Sequence, residues 1–159
     1  MVWIWRLVMA VLGTAIYYMV NAPDWRNRFL LLYDIPTLPV AFACAGELLF
    51  RLASGERAAA WIRLIGLLVA VGCGAGAQYK AWPLSGHLTV ATTVALLQLS
   101  SVRDPLAWRL LSLLPILLLI GIRTFRPQTA LMGNTFNTCS GLILGALIGS
   151  AVLLLLPRP

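Results

Sequence analysis

Long apolar stretches separated by short polar segments make up almost the whole chain. Six of these stretches approach the ~20 residues that a helix needs to cross a membrane. They cover residues 2–20, 35–53, 58–79, 86–102, 105–122 and 137–156. The pattern predicts an all-α fold, a polytopic membrane protein with a bundle of about six transmembrane helices. We expect residues 1–159 to form a single integral membrane domain.

Glycines and prolines indicate how these helices pack. Gly141, Gly145 and Gly149 recur at four-residue spacing in the last stretch. Such a ridge of small residues lets helices approach closely in lipid, so we predict that it packs inside the bundle. Pro115 interrupts the fifth stretch and should kink it, because proline removes a backbone donor. Pro36 falls near the start of the second stretch, where proline is tolerated.

Composition supports the membrane class and narrows the partners. The chain is 60% hydrophobic and 11% charged, whereas a soluble domain carries roughly 25% charged residues. Its net charge of +7 is spread over loops beside helix ends, which is typical of membrane anchoring and not of nucleic-acid binding. Slightly more basic residues fall on the side of the two termini. We therefore predict a bacterial inner-membrane protein with cytoplasmic N- and C-termini. The three cysteines form no CxxC pair, so no metal site is expected.

A few charged residues fall within the apolar stretches. Arg6 interrupts the first stretch, and we expect its side chain to snorkel to the membrane interface. Glu47 lies one turn before Arg51 on the second stretch, and this spacing favours an ion pair near the interface. A proton-relay role for Glu47 is the alternative, since ionisable groups inside membranes are often functional.

One polar motif, residues 80–87, separates the third and fourth stretches and holds the only lysine and the only histidine. Alternate loops meet at the same membrane face, so the segments after the fifth stretch and at the start of the sixth should join this motif. Fixed cations, hydrogen-bond donors and a helix start suit a phosphate group. The alternative is that the basic residues only mark the membrane boundary. The predicted phosphate-binding residues are Lys80, Ser85, Gly86, Arg123, Arg126, Asn134 and Asn137, with His87 beside them.

The motif Pro83-Leu84-Ser85-Gly86-His87 resembles the Pro-Ser-Gly-His motif of the type 2 phosphatidic acid phosphatase family, with one residue inserted. Lys80 is similar to the lysine of that family's first motif, and Arg123 to the arginine of its third. The resemblance covers nearly the whole chain in topology but few residues in identity. It implies a six-helix bundle that acts on a lipid phosphate, with His87 as the catalytic general acid.

The nucleophile of that family has no counterpart in this chain. The family attacks phosphorus with a second histidine, oriented by an aspartate, and here Asn137 falls near that position. Covalent catalysis needs an activated nucleophile, which asparagine does not provide. Two replacements are open: Cys139 as a thiolate, or His87 activating water directly.

The sequence therefore leaves several functions open. The first is a membrane lipid-phosphate phosphatase-like protein that binds a phosphate headgroup at the outer or periplasmic face, with impaired catalysis and no cofactor. The second is a non-catalytic scaffold for anionic lipids, as a homo-oligomer or as a subunit of a larger membrane complex. The third is a subunit that ligates a haem or chlorin through His87. Transport ranks last, because no inverted repeat is visible.

Overall fold

The computed structural model describes residues 2–20, 28–79, 83–101, 104–125 and 133–156. All regular structure in these ranges is helical, which confirms the all-α prediction. The helices of the described ranges are α1 (Val2–Val20), α2 (Arg28–Ala53), α3 (Arg57–Tyr79), α4 (Gly86–Leu99), α5 (Leu106–Leu111), α6 (Leu114–Phe125) and α7 (Gly133–Leu155).

Five segments of these ranges are long and apolar enough to cross a membrane, and they lie in α1, α2, α3, α5 with α6, and α7. The shorter α4, with 14 residues, is a sixth apolar helix. These helices confirm the prediction of an integral membrane bundle. α4 spans about 21 Å, which is less than the ~30 Å of a bilayer core.

Two helix boundaries differ from the sequence prediction, and the fifth stretch forms two helices instead of one kinked helix. α2 begins at Arg28, well before residue 35, so Pro36 lies inside the helix and not near its start. α7 begins at Gly133, which places Asn137 within the helix. The fifth stretch is interrupted at Ser112 and divides into α5 and α6, with Pro115 in the first turn of α6. Proline is tolerated there because a first-turn N–H has no helical partner.

The helix at the centre of the bundle is α4. It packs against α2, α3, α5, α6 and α7, and most of its side chains are buried. Two of its buried hydroxyls are satisfied within the helix, since the Oγ1 atoms of Thr89 and Thr93 donate to the carbonyls of Ser85 and Thr89 at 3.0 and 2.9 Å. A helix that is apolar all round is stable only when other helices enclose it.

The glycine ridge of α7 is the surface on which α4 packs. A Cβ atom at Gly141 would lie 2.7 Å from the carbonyl oxygen of Ser85, and one at Gly145 would lie 2.6 Å from that of Thr89. At Gly149 it would lie 2.7 Å from the side chain of Leu96. These distances leave no room for a side chain and confirm that the ridge packs within the bundle.

The most peripheral helix is α1, which packs chiefly on α2. Gly13 lies against the Phe42 ring, and Gly46 of α2 lies against Met9. Much of the remaining α1 surface is apolar and exposed, with Leu7 67% exposed. In a membrane this surface meets lipid, so it needs no protein partner.

Candidate functional site

The helices alternate in direction, so their ends gather at two faces of the bundle. We call the face at which α1, α3 and α5 begin the first face. The second face carries the starts of α2, α4 and α7 and the end of α6. The predicted phosphate site belongs to the second face, and contacts between helix ends there and at the first face define two polar clusters.

Ser85 organises the second face. Its Oγ caps α4 by accepting from the N–H of Leu88 at 3.4 Å, while its own N–H donates to the carbonyl of Asn137 on α7 at 3.0 Å. Gly86 lies directly against Gly74 of α3, where a Cβ atom would come within 2.6 Å of the α3 backbone. The start of α4 is therefore held between α3 and α7.

Arg123, in the last turn of α6, reaches both neighbours of this junction. Its Nη2 donates to the Oγ of Ser85 and its Nη1 to the Oγ1 of Thr138, each at 2.8 Å. The guanidinium thus has one hydroxyl partner on each of the two helix starts. Two bonds from a planar fork fix its orientation as well as its position.

A small cavity of about 150 Å³ opens beside this guanidinium, and we call it the polar cavity. Its described lining residues include a cation and three hydroxyls and no acidic side chain. The residues are Ile120, Arg123, Thr124, Thr135 and Thr138. The Thr124 hydroxyl donates to the carbonyl of Ile120 at 2.9 Å, which leaves Thr135 and Thr138 as the hydroxyls beside the guanidinium. A guanidinium beside hydroxyl groups suits an anion with several oxygen atoms, such as a phosphate group.

His87 faces a different part of the molecule. It is half-buried and lines a cavity of about 360 Å³ between α2, α3 and α4, which we call the apolar cavity. Among the described residues, this cavity shares no lining residue with the polar cavity. Gly86 also lines the apolar cavity. The structure thus joins Ser85, Arg123 and the backbone of Asn137, but it assigns His87 to a separate space.

The other predicted site residues are distributed as follows. Lys80, Arg126 and the side chain of Asn134 lie outside the described residues. The Oδ1 atom of Asn137 is buried and has no hydrogen-bond partner in the described part of the chain. Cys139 is an exposed free thiol and lines neither the polar nor the apolar cavity.

A further contact that the sequence did not indicate ties α7 to the segment before α4. The hydroxyl of Ser140 lies 2.8 Å from the carbonyl oxygen of Pro83 and 2.8 Å from that of Phe136. With the bond from Ser85 to Asn137, this contact gives the motif a second attachment to α7. The motif is positioned by α7 as much as by the helix that it starts.

A second polar cluster lies at the first face and centres on Glu47, which is 1% exposed. One carboxylate oxygen accepts from Arg6 Nη2 at 2.6 Å and from Gln98 Nε2 at 2.9 Å. The other accepts from Arg51 Nε at 2.8 Å. This last contact confirms the ion pair predicted from the spacing of Glu47 and Arg51.

The prediction for Arg6 was wrong. Its side chain is 2% exposed and does not snorkel to the interface. Glu47 and Asp104 neutralise its charge, with an Arg6 Nη2 to Asp104 Oδ1 distance of 2.8 Å. The rings of Trp3 and Trp108 flank the guanidinium, whose Cζ lies 5.0 and 4.7 Å from their centroids. These partners replace the water that snorkelling would have provided.

Asp104 connects the segment between α4 and α5 to this ion cluster, which we define as Arg6, Glu47, Arg51 and Asp104. Its Oδ2 lies 3.6 Å from Arg51 Nη2. Burial alone would raise the pKa of Asp104, but hydrogen bonds from Ser101 and Arg6 and the nearby positive charges outweigh it and lower the pKa. The cluster balances two cations with two carboxylates, which makes it a structural junction between α1, α2 and the α4–α5 segment.

Comparison with known proteins adds no functional assignment. Neither a protein-family model, nor a curated protein, nor a solved structure matches this chain. The functional argument therefore depends on the geometry of the two faces.

Proposed function

We propose that this membrane protein binds the phosphate-bearing headgroup of a lipid in the polar cavity, as a phosphatase-like protein that does not hydrolyse its ligand. The observation that carries the proposal is the Arg123 guanidinium, held at 2.8 Å by Ser85 and Thr138 beside a cavity lined by hydroxyls. These bonds hold a permanent positive charge in a fixed position at the cavity wall, and a guanidinium attracts phosphate oxygens.

The hydroxyl groups complement the charge of Arg123. Thr135 and Thr138 lie one turn of α7 apart, so both hydroxyls line the same side of the polar cavity. The cavity thus places a positive charge and two hydroxyl groups of α7 around one space.

The location of the polar cavity favours a lipid as the source of that phosphate. It lies where α6 ends and α7 begins, at the second face of the bundle. From the cavity towards the first face, α6 and α7 both expose large apolar side chains, with Leu117 65% and Ile143 60% exposed. A lipid whose chains lie along these side chains would have its headgroup at the level of Arg123.

The separation of His87 from Arg123 supports binding without hydrolysis. Phosphoryl transfer needs an attacking group in line with the leaving oxygen. The sole histidine lines the apolar cavity, and Cys139 does not line the polar cavity. Asn137, which falls near the missing nucleophile, carries an amide and cannot supply one.

Replacing Arg123 tests the proposal. In native mass spectrometry of the detergent-solubilised protein, Arg123→Gln should weaken binding of phosphatidic acid at least about tenfold, since hydrogen bonds to a charged group contribute about 1.5–3 kcal/mol. Diacylglycerol with the same chains should bind equally to both proteins. Arg123→Lys keeps the charge but loses the planar guanidinium. Its affinity for phosphatidic acid should therefore lie between those of the wild type and Arg123→Gln.

Arg57→Gln is the matched control, because Arg57 is an exposed arginine at the opposite end of the bundle. Its affinity for phosphatidic acid should equal that of the wild type. Equal affinities of the Arg123→Gln and Arg57→Gln proteins would overturn the proposal. In the same preparations, release of inorganic phosphate should not exceed that of His87→Ala, and release that depends on His87 would show an enzyme instead of a binding protein.

A further inference from the structure

The apolar cavity lies apart from the polar cavity and is larger than it. Its volume is about 360 Å³, and its walls come from α2, α3 and α4, with Tyr17 of α1 at its edge. Apolar side chains make up most of the lining, among them Phe42 and Leu67. Water does not fill a cavity of this kind, because it offers few hydrogen-bond partners.

The polar residues of this cavity are not scattered through it. Tyr17 lies near the end of α1, Thr37 in the first half of α2 and His87 at the start of α4. All three positions are nearer the second face. The cavity therefore has hydroxyl and imidazole groups towards one membrane surface.

The opposite end of the cavity is hydrocarbon. Ala45 lies in the second half of α2, and Leu64 lies in the first half of α3. These positions place them closer to the membrane centre than Thr37 or His87. The lining thus changes from polar to apolar along the membrane normal, over the depth that separates a lipid headgroup from its chain.

We propose that the apolar cavity holds one hydrocarbon chain of a membrane lipid, with the polar head of that lipid beside Tyr17, Thr37 and His87. This site goes beyond the headgroup site at Arg123, with which it shares no residue. This change in polarity favours an amphiphile over a wholly apolar molecule. The hydrocarbon chain lies against the apolar end of the cavity, and the polar head lies at the end nearer the second face. The exposed side chains of Leu68 and Val71 on α3 place the cavity within reach of surrounding lipid.

Photolabelling of the purified protein tests this assignment. The probe is a diacylglycerol that carries a diazirine at the end of one palmitoyl chain, added to delipidated protein in detergent. A chain in the cavity should place the label on the deep part of the lining, at Ala45 or Leu64. Labelled peptides are then identified by mass spectrometry and compared with those from lipid-facing α7.

Filling the cavity provides the decisive comparison. Ala75→Phe adds a ring at an exposed alanine of the lining and should abolish labelling of the α2 and α3 peptides. Ala41→Leu adds a smaller group deeper in the lining and serves as the second variant. Ala151→Phe is the matched control, since Ala151 is an exposed alanine on α7 that lines neither cavity. It should be labelled like the wild type.

Two results would overturn the assignment: equal labelling of the Ala75→Phe, Ala41→Leu and wild-type proteins, or a label spread evenly over all lipid-facing helices. Thermal unfolding of each variant in the same detergent identifies any protein that fails to fold. Repeating the labelling with Arg123→Gln separates this site from the polar cavity. The Arg123→Gln protein should still be labelled at the apolar cavity. This result is expected whether or not Arg123 proves necessary for binding phosphatidic acid, so each proposal can fail without the other.

Discussion

Glu47 shows how a single buried carboxylate can hold distant parts of a membrane protein together. It accepts hydrogen bonds from Arg6 on α1, Arg51 on α2 and Gln98 on α4. Removing its charge by Glu47→Gln leaves the buried guanidinium of Arg6 only partly compensated. Breaking a buried ion pair in this way costs about 3–5 kcal/mol, so we expect a clear loss of thermal stability in detergent.

Glu56 provides the control for that prediction. It also pairs with Arg51, at 3.0 Å, but its side chain is 43% exposed. An exposed pair contributes about 0–1 kcal/mol, so Glu56→Gln should unfold close to the wild-type temperature. If both variants unfold at the same temperature, the ion cluster does not stabilise the fold as proposed here.

At this scale the sequence predicts local pairs but not distant ones. The four-residue spacing of Glu47 and Arg51 was sufficient to predict their contact, because a helix places such positions on one face. The partners of Arg6 lie far along the chain, on α2 and before α5. These contacts depend on how the helices dock. From the sequence, Arg6 could only be predicted to snorkel to the interface, as a single arginine in an apolar helix does. The one available signal was that Arg6 and Asp104, two opposite charges without an assigned partner, fall at the same predicted membrane face.

Among the helices, the interface between α4 and α7 depends most on small residues. A Cβ atom at Gly145 would lie 2.6 Å from the carbonyl oxygen of Thr89, and backbone at this point cannot move as a flexible side chain would. Gly145→Ala should therefore separate the helices and destabilise the protein by about 1–3 kcal/mol, the usual range for overpacking. Thermal unfolding in detergent measures the effect.

The same substitution at Gly72 is the control. A Cβ atom there would have no neighbour within 4 Å. Alanine is favoured over glycine within a helix by about 1 kcal/mol, so Gly72→Ala should leave stability unchanged or raise it. Equal losses at the two positions would show that close packing on α4 is not the reason for the glycine ridge.

Apolar patterning predicts which helices exist more reliably than where each helix begins and ends. Apolar length identified the spans, since backbone groups in lipid must be satisfied within the helix. The four-residue glycine spacing identified the packing face of α7, but not α4 as the helix that covers it. The early start of α2 at Arg28 was missed, because Pro36 favoured a helix beginning near it.

Across the whole molecule, arginines at the two faces have different surroundings. At the first face Arg6 and Arg51 are balanced by Glu47 and Asp104, so these charges are used within the fold. At the second face Arg123 is oriented by hydroxyl groups beside a cavity. This contrast is the reason to assign a structural role to the first face and an anion-binding role to the second.

The sequence predicted only part of the candidate site. The order of the motifs placed Ser85 and Arg123 at one face, and the structure joins them directly. Sequence position could not show that the His87 side chain lies among apolar residues of α2 and α3 instead. The direction of a side chain at a helix start depends on which neighbour each side of the helix meets. That information lies in the packing and not in the spacing.

Acid should weaken the whole fold through the ion cluster at the first face. The pKa of Asp104 is lowered from its ordinary 3.8, as bonds from Ser101 and Arg6 and the charges of Arg6 and Arg51 outweigh the effect of burial. A carboxylate with a lowered pKa stabilises the folded state fully above its ordinary value. That stabilisation is lost as the pH falls through the lower folded value.

Comparing the wild type with Asp104→Asn isolates this contribution. The wild type should be the more stable protein near neutral pH, and the difference in free energy of unfolding should shrink once the pH falls below about 4. Denaturant unfolding in detergent across this range measures both proteins under the same conditions. A difference that stays constant or grows on acidification would show that Asp104 does not stabilise the cluster as a carboxylate. A shrinking difference would link the docking of α1 and α2 on the α4–α5 segment to the charge of one residue.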